Sequence, residues 1–292
     1  MRQRMLLLTL CLCSITGCKS LFNTSENHGG GNFSTPRTAQ EVVAHLNNQS
    51  NPIQTVESDN VDITVTQNGQ PFGLSGRLAF QKARNFRMVA SAVGSTEADL
   101  GSNDQEFWFW MKRNEPPDLF YCSYNDLPTA QVKLPLQPDW IAEALCVQEL
   151  NPADYQMREL KNGIELIREV QVNGEKLYKG ILIARQGPNA GRIVLHRLFR
   201  YNTNSSQEIW RAEVVDYQLQ KDVGNYVVPY HVKVTCPEQS VAIEMKIKGC
   251  RVNQLQPNPQ LFSKPAGYRS HDIARLQPTG IPNTITRVRG GE

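Results

Sequence analysis

The clearest signal along the chain is a change of hydrophobic period. Thr38 stands where it can cap a helix, with Glu41 three residues on, as in a capping box. Ala39, Val42, Val43 and Leu46 then fall on one helical face, and Asn47 to Pro52 end it. From there the period becomes two. Val61, Ile63 and Val65 alternate with Asp62, Thr64 and Thr66, and Asn68-Gly69 marks a hairpin turn. Leu74, Gly76, Leu78 and Phe80 share a face, as do Phe86, Met88, Ala90 and Ala92. Phe107, Trp108, Phe109 and Trp110 break the alternation: both faces of that strand are apolar, so both are expected to be covered.

Pro116-Pro117 closes this stretch, and residues 138–150 predict a second helix with Trp140, Ala144 and Leu145 on one side. Period two then returns to about residue 253. Turn signals stand at Asn162-Gly163, Asn173-Gly174 and Asn189 to Gly191. Clear alternation runs through Tyr226, Val228, Tyr230, Val232 and Val234, then Val241, Ile243, Met245 and Ile247. Strands spaced about ten residues apart and joined by tight turns predict an antiparallel meander. The expected architecture is mainly β with helices (α+β): about ten to twelve strands in one curved sheet over residues 37–264, then a polar tail over 265–292, disordered from about 277.

Composition narrows the class. Of 292 residues, 40% are apolar and 20% charged, which describes a globular chain. The basic residues are scattered and the formal charge is only +3, so no nucleic-acid surface is expected. Seven cysteines are present. If residues 226–236 pair with 241–252, Cys236 and Cys250 lie about nine residues apart on the ribbon, on the order of 30 Å. A disulfide needs Cα atoms within about 7 Å, so that pairing is disfavoured. Cys122–Cys146 stays open, as do the crossed pairings and free buried thiols.

The N-terminus changes the address. Arg2 and Arg4 precede thirteen uncharged residues, Met5 to Gly17. A spanning helix needs about 20 apolar residues, so this run reads as a secretory signal peptide over 1–17. It ends Ile15-Thr16-Gly17-Cys18. These residues resemble a bacterial lipobox. That resemblance implies cleavage before Cys18, which then carries diacylglycerol on sulfur and an acyl group such as palmitate on its amine. Two or three chains hold a protein firmly on a membrane. Lys19 stands where Asp signals inner-membrane retention in enteric-type bacteria, so the expected location is the outer membrane, facing the periplasm. Residues 18–36, rich in Gly, Ser and Asn, read as a flexible tether spanning about 23 Å. The four cysteines that remain are in an oxidising compartment, where disulfides are permitted.

Catalytic patterns are weak. His28-Gly29-Gly30-Gly31 has no nucleophile elbow to serve, and the five histidines show no metal-binding spacing. His196 and His231 fall in predicted strands and are expected to face solvent or hydrogen-bond. No enzyme, cofactor or metal is expected. The aromatic quartet is the more informative feature. Either it is a strand packed under a helix, or it lines an apolar cavity. Phe107, Trp108, Phe109 and Trp110 are then the cavity candidates, with Trp108 and Trp110 favoured for their apolar area.

Lipobox, tether, amphipathic helix, long meander and mid-chain helix together resemble the LolA/LolB-type lipoprotein carriers and receptors. The stretch ADLGSNDQEFWFWMK (Ala98 to Lys112) is similar to that family's central strand–turn–strand segment. The resemblance implies an unclosed β-barrel with helices on its concave face. It also implies acyl-chain or lipoprotein cargo and a periplasmic carrier as partner. The same fold binding a protein or glycan without catalysis is the second expectation.

Overall fold

The computed structural model describes Phe33, Pro36 and residues 38–129, 138–172, 175–202, 205–221, 224–258 and 260–276. The expected signal peptide, the lipobox, the Asn173-Gly174 turn and the tail from 277 lie outside the described residues.

The first helix, α1 (Ala39–Ser50), starts as its sequence predicts: the Glu41 amide donates to Thr38 Oγ1 at 3.2 Å. Six strands follow: β1 (Thr55–Gln67), β2 (Gln70–Gln81), β3 (Asn85–Ala92), β4 (Ser95–Ser102), β5 (Glu106–Met111) and β6 (Leu119–Ser123). A second helix, α2 (Pro138–Glu143), leads to β7 (Gln156–Leu160), β8 (Gly163–Val172), β9 (Glu175–Ala184) and β10 (Ile193–Asn202). The remaining strands are β11 (Ser205–Gln220), β12 (Tyr226–Cys236), β13 (Val241–Lys248), β14 (Arg251–Val252) and β15 (Ser270–Asp272).

The described strands form one unclosed sheet in the order β15-β6-β5-β4-β3-β2-β1-β13-β12-β11-β10-β9-β8-β7, with β14 also paired to β1. Short strands stand at both ends, which limits the unpaired backbone available for association. Three expectations need correction. The described residues form fifteen strands rather than ten to twelve. The sheet is mixed, because β15 runs parallel to β6, Ser270 opposite Leu119. The sheet therefore extends past residue 264 into what the sequence reads as tail. Finally, α2 has six residues and ends well before 150. Its last turn tightens into Cys146, which sits at φ +56°, a left-handed conformation that stops an L-residue helix.

Register carries one face across the whole sheet. Phe109, Leu100, Met88 and Leu78 line up across β5 to β2. Val61 meets Ile247, then Met245 meets Val232, Val234 meets Ala212, His196 meets Ile181 and Ile181 meets Leu166. Both helices pack on this inner face. Val42, Val43 and Leu46 of α1 lie on Ile164, Leu166, Ile181, Ile183 and Ile193. Trp140, Ile141 and Ala142 of α2 join the main core.

The opposite, outer face of β3 to β6 is covered by the chain after β14. Arg87 donates to the Leu261 carbonyl at 3.1 Å and Asn103 to that of Phe262 at 3.1 Å. The Lys264 ammonium lies 3.4 Å from the Tyr121 ring centre and pairs with Glu106 at 3.1 Å.

Candidate functional site

The β5 register separates the aromatic quartet. Phe107 and Phe109 share the helix-covered face with Cys122 and Phe120. Phe107 packs near Tyr124 with ring centres 5.8 Å apart, and Phe109 stacks on Phe120 at 5.4 Å. Trp108 and Trp110 point to the outer face. Trp108 lies on Gly101, where an added Cβ would meet the indole at 2.3 Å. Trp110 donates to the Pro117 carbonyl at 2.8 Å and packs against Tyr268 at 5.0 Å. The preference for Trp108 and Trp110 as inner-face residues is therefore reversed: the two phenylalanines hold that place. All four rings are buried by protein.

The inner face does carry a cavity, farther along the sheet. About 170 Å³ lies between segment 143–155 and the strands β8 to β11. Register sets Arg168, Lys179, Leu198 and Trp210 side by side across four strands, with His196 and Ile181 in the adjoining row. The cavity wall includes Arg168, Lys179, His196, Trp210, Glu143 and Tyr155. Asn47 of α1 fixes its roof: its Nδ2 donates to the Leu150 carbonyl at 2.8 Å, and its Oδ1 accepts from the Leu150 amide at 2.9 Å.

Electrostatics here are governed by burial. Glu143 pairs with Lys179. Burial alone raises a carboxylate, yet the Lys179 charge and hydrogen bond, with His196 and Arg168 adding, bring Glu143 below its usual range. Burial pushes His196 down to about 4, so it is neutral at pH 7. Cys146 Sγ lies 3.4 Å from His196 Nε2. Tyr217, which donates to the Ile193 carbonyl at 2.6 Å, stands beside Cys146. Burial pushes the Cys146 thiol up to about 12, so the cysteine and histidine stand as thiol and neutral imidazole. A nucleophilic cysteine needs the opposite shift.

The four described cysteines are free thiols. The Cys122–Cys146 bridge is not formed, because Cys122 lies on β6 beneath the 274 backbone while Cys146 sits against β10, across the sheet. Cys236 faces Val241 at the turn end of its hairpin, as the spacing predicts. Burial pushes Cys122 up to about 11 and Cys236 and Cys250 up to about 12. Cys18 and its neighbours Ile15, Thr16 and Gly17 lie outside the described residues. Among the described residues no cluster of three His, Cys, Asp or Glu side chains suits a metal, and no helix is long and apolar enough to cross a membrane.

Sequence reasoning assigned His196 to a solvent-facing or hydrogen-bonding role and did not single out Trp210. A usable signal was present: His196 and Leu198 have the same parity, and Leu198 belongs to the core.

Taken together, fold and site define an unclosed-sheet protein whose inner face is roofed by two helices and hollowed at a polar seam. No family model matches the chain, and no curated protein matches it. Among solved structures, it is similar to a LolA superfamily protein from Nitrosomonas europaea: 11% identity, TM-score 0.47, covering 78% of this chain and 99% of that one. It is also similar to a putative outer membrane lipoprotein-sorting protein domain from Vibrio parahaemolyticus: 8% identity, TM-score 0.46, covering 77% and 97%. A DUF1329 family protein from Desulfovibrio piger gives 10% identity, a TM-score of 0.44 and coverage of 76% and 95%.

Proposed function

We propose that the protein is a lipid-anchored envelope protein, held through Cys18 to the outer membrane and facing the periplasm. It binds or transfers acyl chains of lipoproteins or lipids on the inner face of its sheet, receiving or passing cargo through a periplasmic carrier. One observation carries this reading. The large apolar surface formed by Leu78, Phe80, Phe86, Met88, Phe107 and Phe109 shares its core with the six-residue α2 and with short irregular segments such as 144–147, and among the described residues no second sheet lies over it.

A helix that short has no stability of its own; packing holds it. Trp140 meets Trp210 with ring centres 5.5 Å apart. Tyr124 donates to Asp139 at 2.7 Å at one end of α2, and Glu143 pairs with Lys179 at the other. An acyl chain that displaces α2 exchanges one apolar cover for another, so the hydrophobic term largely cancels. Displacement is required, because ligand pockets usually measure about 300–1,000 Å³ and the inner-face cavity is only about 170 Å³.

Native mass spectrometry of the chain from Lys19, which contains every described element, tests the reading. Co-purified lipid, or uptake of a fluorescent fatty acid, is the expected result; refusal of every acyl ligand sinks it. Cys18→Ser should release the protein from membranes, and retention there would sink the anchor.

The alternative is a non-enzymatic envelope protein that binds a protein or glycan. It draws on the outer face, where Tyr201 is 51% exposed and packs edge-on to Tyr178 and Phe199. Loss of glycan or protein capture in Tyr201→Ala, with acyl uptake absent from the unaltered chain, would favour it.

A further inference from the structure

Resting on the acyl-binding reading, we propose that the cavity under segment 143–155 is the site for the ligand's polar head, with the Trp210 indole N–H and the Arg168 guanidinium donating to an acyl oxygen.

The cavity is built around donors that the protein leaves unused. Trp210 is buried, lines the cavity, and its Nε1 has no acceptor. Arg168 lines the same space, and its Nε is likewise buried without an acceptor. An unmet buried N–H is costly, so two of them in one cavity wall are an uncommon arrangement. Glu143, a carboxylate of the cavity wall, is engaged by Lys179. A ligand therefore has to supply the acceptor. Indole and guanidinium offer only donors, which selects an acceptor-only group: a carboxylate or an ester carbonyl.

Shape points the same way. Leu150, Ile181 and Ile193 give the cavity apolar walls beside the two donors. Its volume takes a head and a few methylenes, while the apolar surface under α2 adjoins it through Trp140 and Trp210. A chain laid under α2 would thus bring its oxygen to the Arg168–Trp210 row. A carboxylate arriving there also competes with Glu143 for Lys179, which loosens the end of α2 that must lift. Head recognition and opening of the cover become one event.

The test measures equilibrium displacement of a fluorescent fatty acid from the chain starting at Lys19. Competitors are dodecanoate, methyl dodecanoate and dodecane; the variants are Trp210→Phe, Arg168→Gln and Arg168→Lys. Trp210→Phe should weaken both oxygen-bearing ligands about tenfold and leave dodecane unchanged. Arg168→Gln should weaken dodecanoate by at least as much, with recovery in Arg168→Lys. If the arginine effect is confined to dodecanoate, the natural head is a free carboxylate; if it extends to the methyl ester, it is an acyl ester. Equal losses for dodecane, or unchanged affinity in both variants, overturn the head site and leave the acyl reading standing. Refusal of all three ligands by the unaltered chain overturns both.

Discussion

Two halves of the same inner face are built differently. Over β2 to β6 the inward side chains include Leu78, Phe80, Phe86, Met88, Leu100, Phe107, Phe109 and Phe120, and the inward Ser102 hydroxyl is satisfied by the Arg84 carbonyl at 2.8 Å. Over β8 to β11 the same face presents Arg168, Lys179, His196 and a tryptophan with an unmet N–H. Helix α2 spans the seam: Ile141 and Ala142 join the main core, while Trp140 meets Trp210 and the terminal Glu143 reaches Lys179, both of the second half. The first half supplies stability through packing. The second departs from the rules of a comfortable core, and such departures mark places where a fold serves something besides itself.

The sharpest way to break this contrast is to strike the packed half. Phe107→Ala removes a fully buried ring and should cost about 3–5 kcal/mol, read as a collapse of the urea midpoint. Acid attacks the other half. His196 has a folded pKa of about 4 against an unfolded value near 6.5. The unfolded chain therefore binds the extra proton first. Stability from this group is complete above about pH 6.5 and falls by roughly 3 kcal/mol as pH drops to 4. Glu143, lowered by Lys179, adds a loss in the same direction below its unfolded value. Urea midpoints at pH 7 and pH 4 check this, and His196→Gln should flatten the profile.

A smaller effect is expected at the seam. Glu143→Gln leaves Lys179 without its partner. With both side chains about one-fifth exposed, the cost should be on the order of 1–2 kcal/mol rather than that of a deeply buried pair. Hydrogen exchange should show α2 opening sooner while β2 and β3 keep their protection. The smallest effect lies outside both halves. Val93 is fully exposed at the β3–β4 turn with φ +48°, a costly backbone for a β-branched residue. Val93→Asn should stabilise the protein by about 1 kcal/mol, seen as a modest rise in Tm, without altering the pH profile.

Local pattern carried much of the architecture. Period two located most strands, Thr38 announced α1, and the 226–252 spacing set the Cys236 register. Quantities that depend on what lies opposite were not legible. Four consecutive aromatics cannot reveal their own parity, and here each face has its own cover: α2 and its neighbours on one side, residues 261–268 on the other. That second cover is irregular and carries Pro265 and Gly267, so from 265 on it reads locally as tail. The parallel pairing of Ser270 with Leu119 joins residues about 150 apart in sequence, a contact with no local signature. The Lys179–Glu143 pair, and with it the polar seam, depends on α2 arriving at β9, which no single stretch encodes.

The strap over the outer face is also the last described part of the chain to be synthesised. Until residues 261–272 emerge, Trp108, Trp110 and Tyr121 have no cover, and β6 has no parallel partner. An unfinished or C-terminally clipped molecule is therefore marked by a bare tryptophan surface beside an open strand edge, a combination that invites aggregation and proteolysis. Completion of the chain acts as its own seal, and a protease can tell a sealed molecule from a clipped one by touching that face alone.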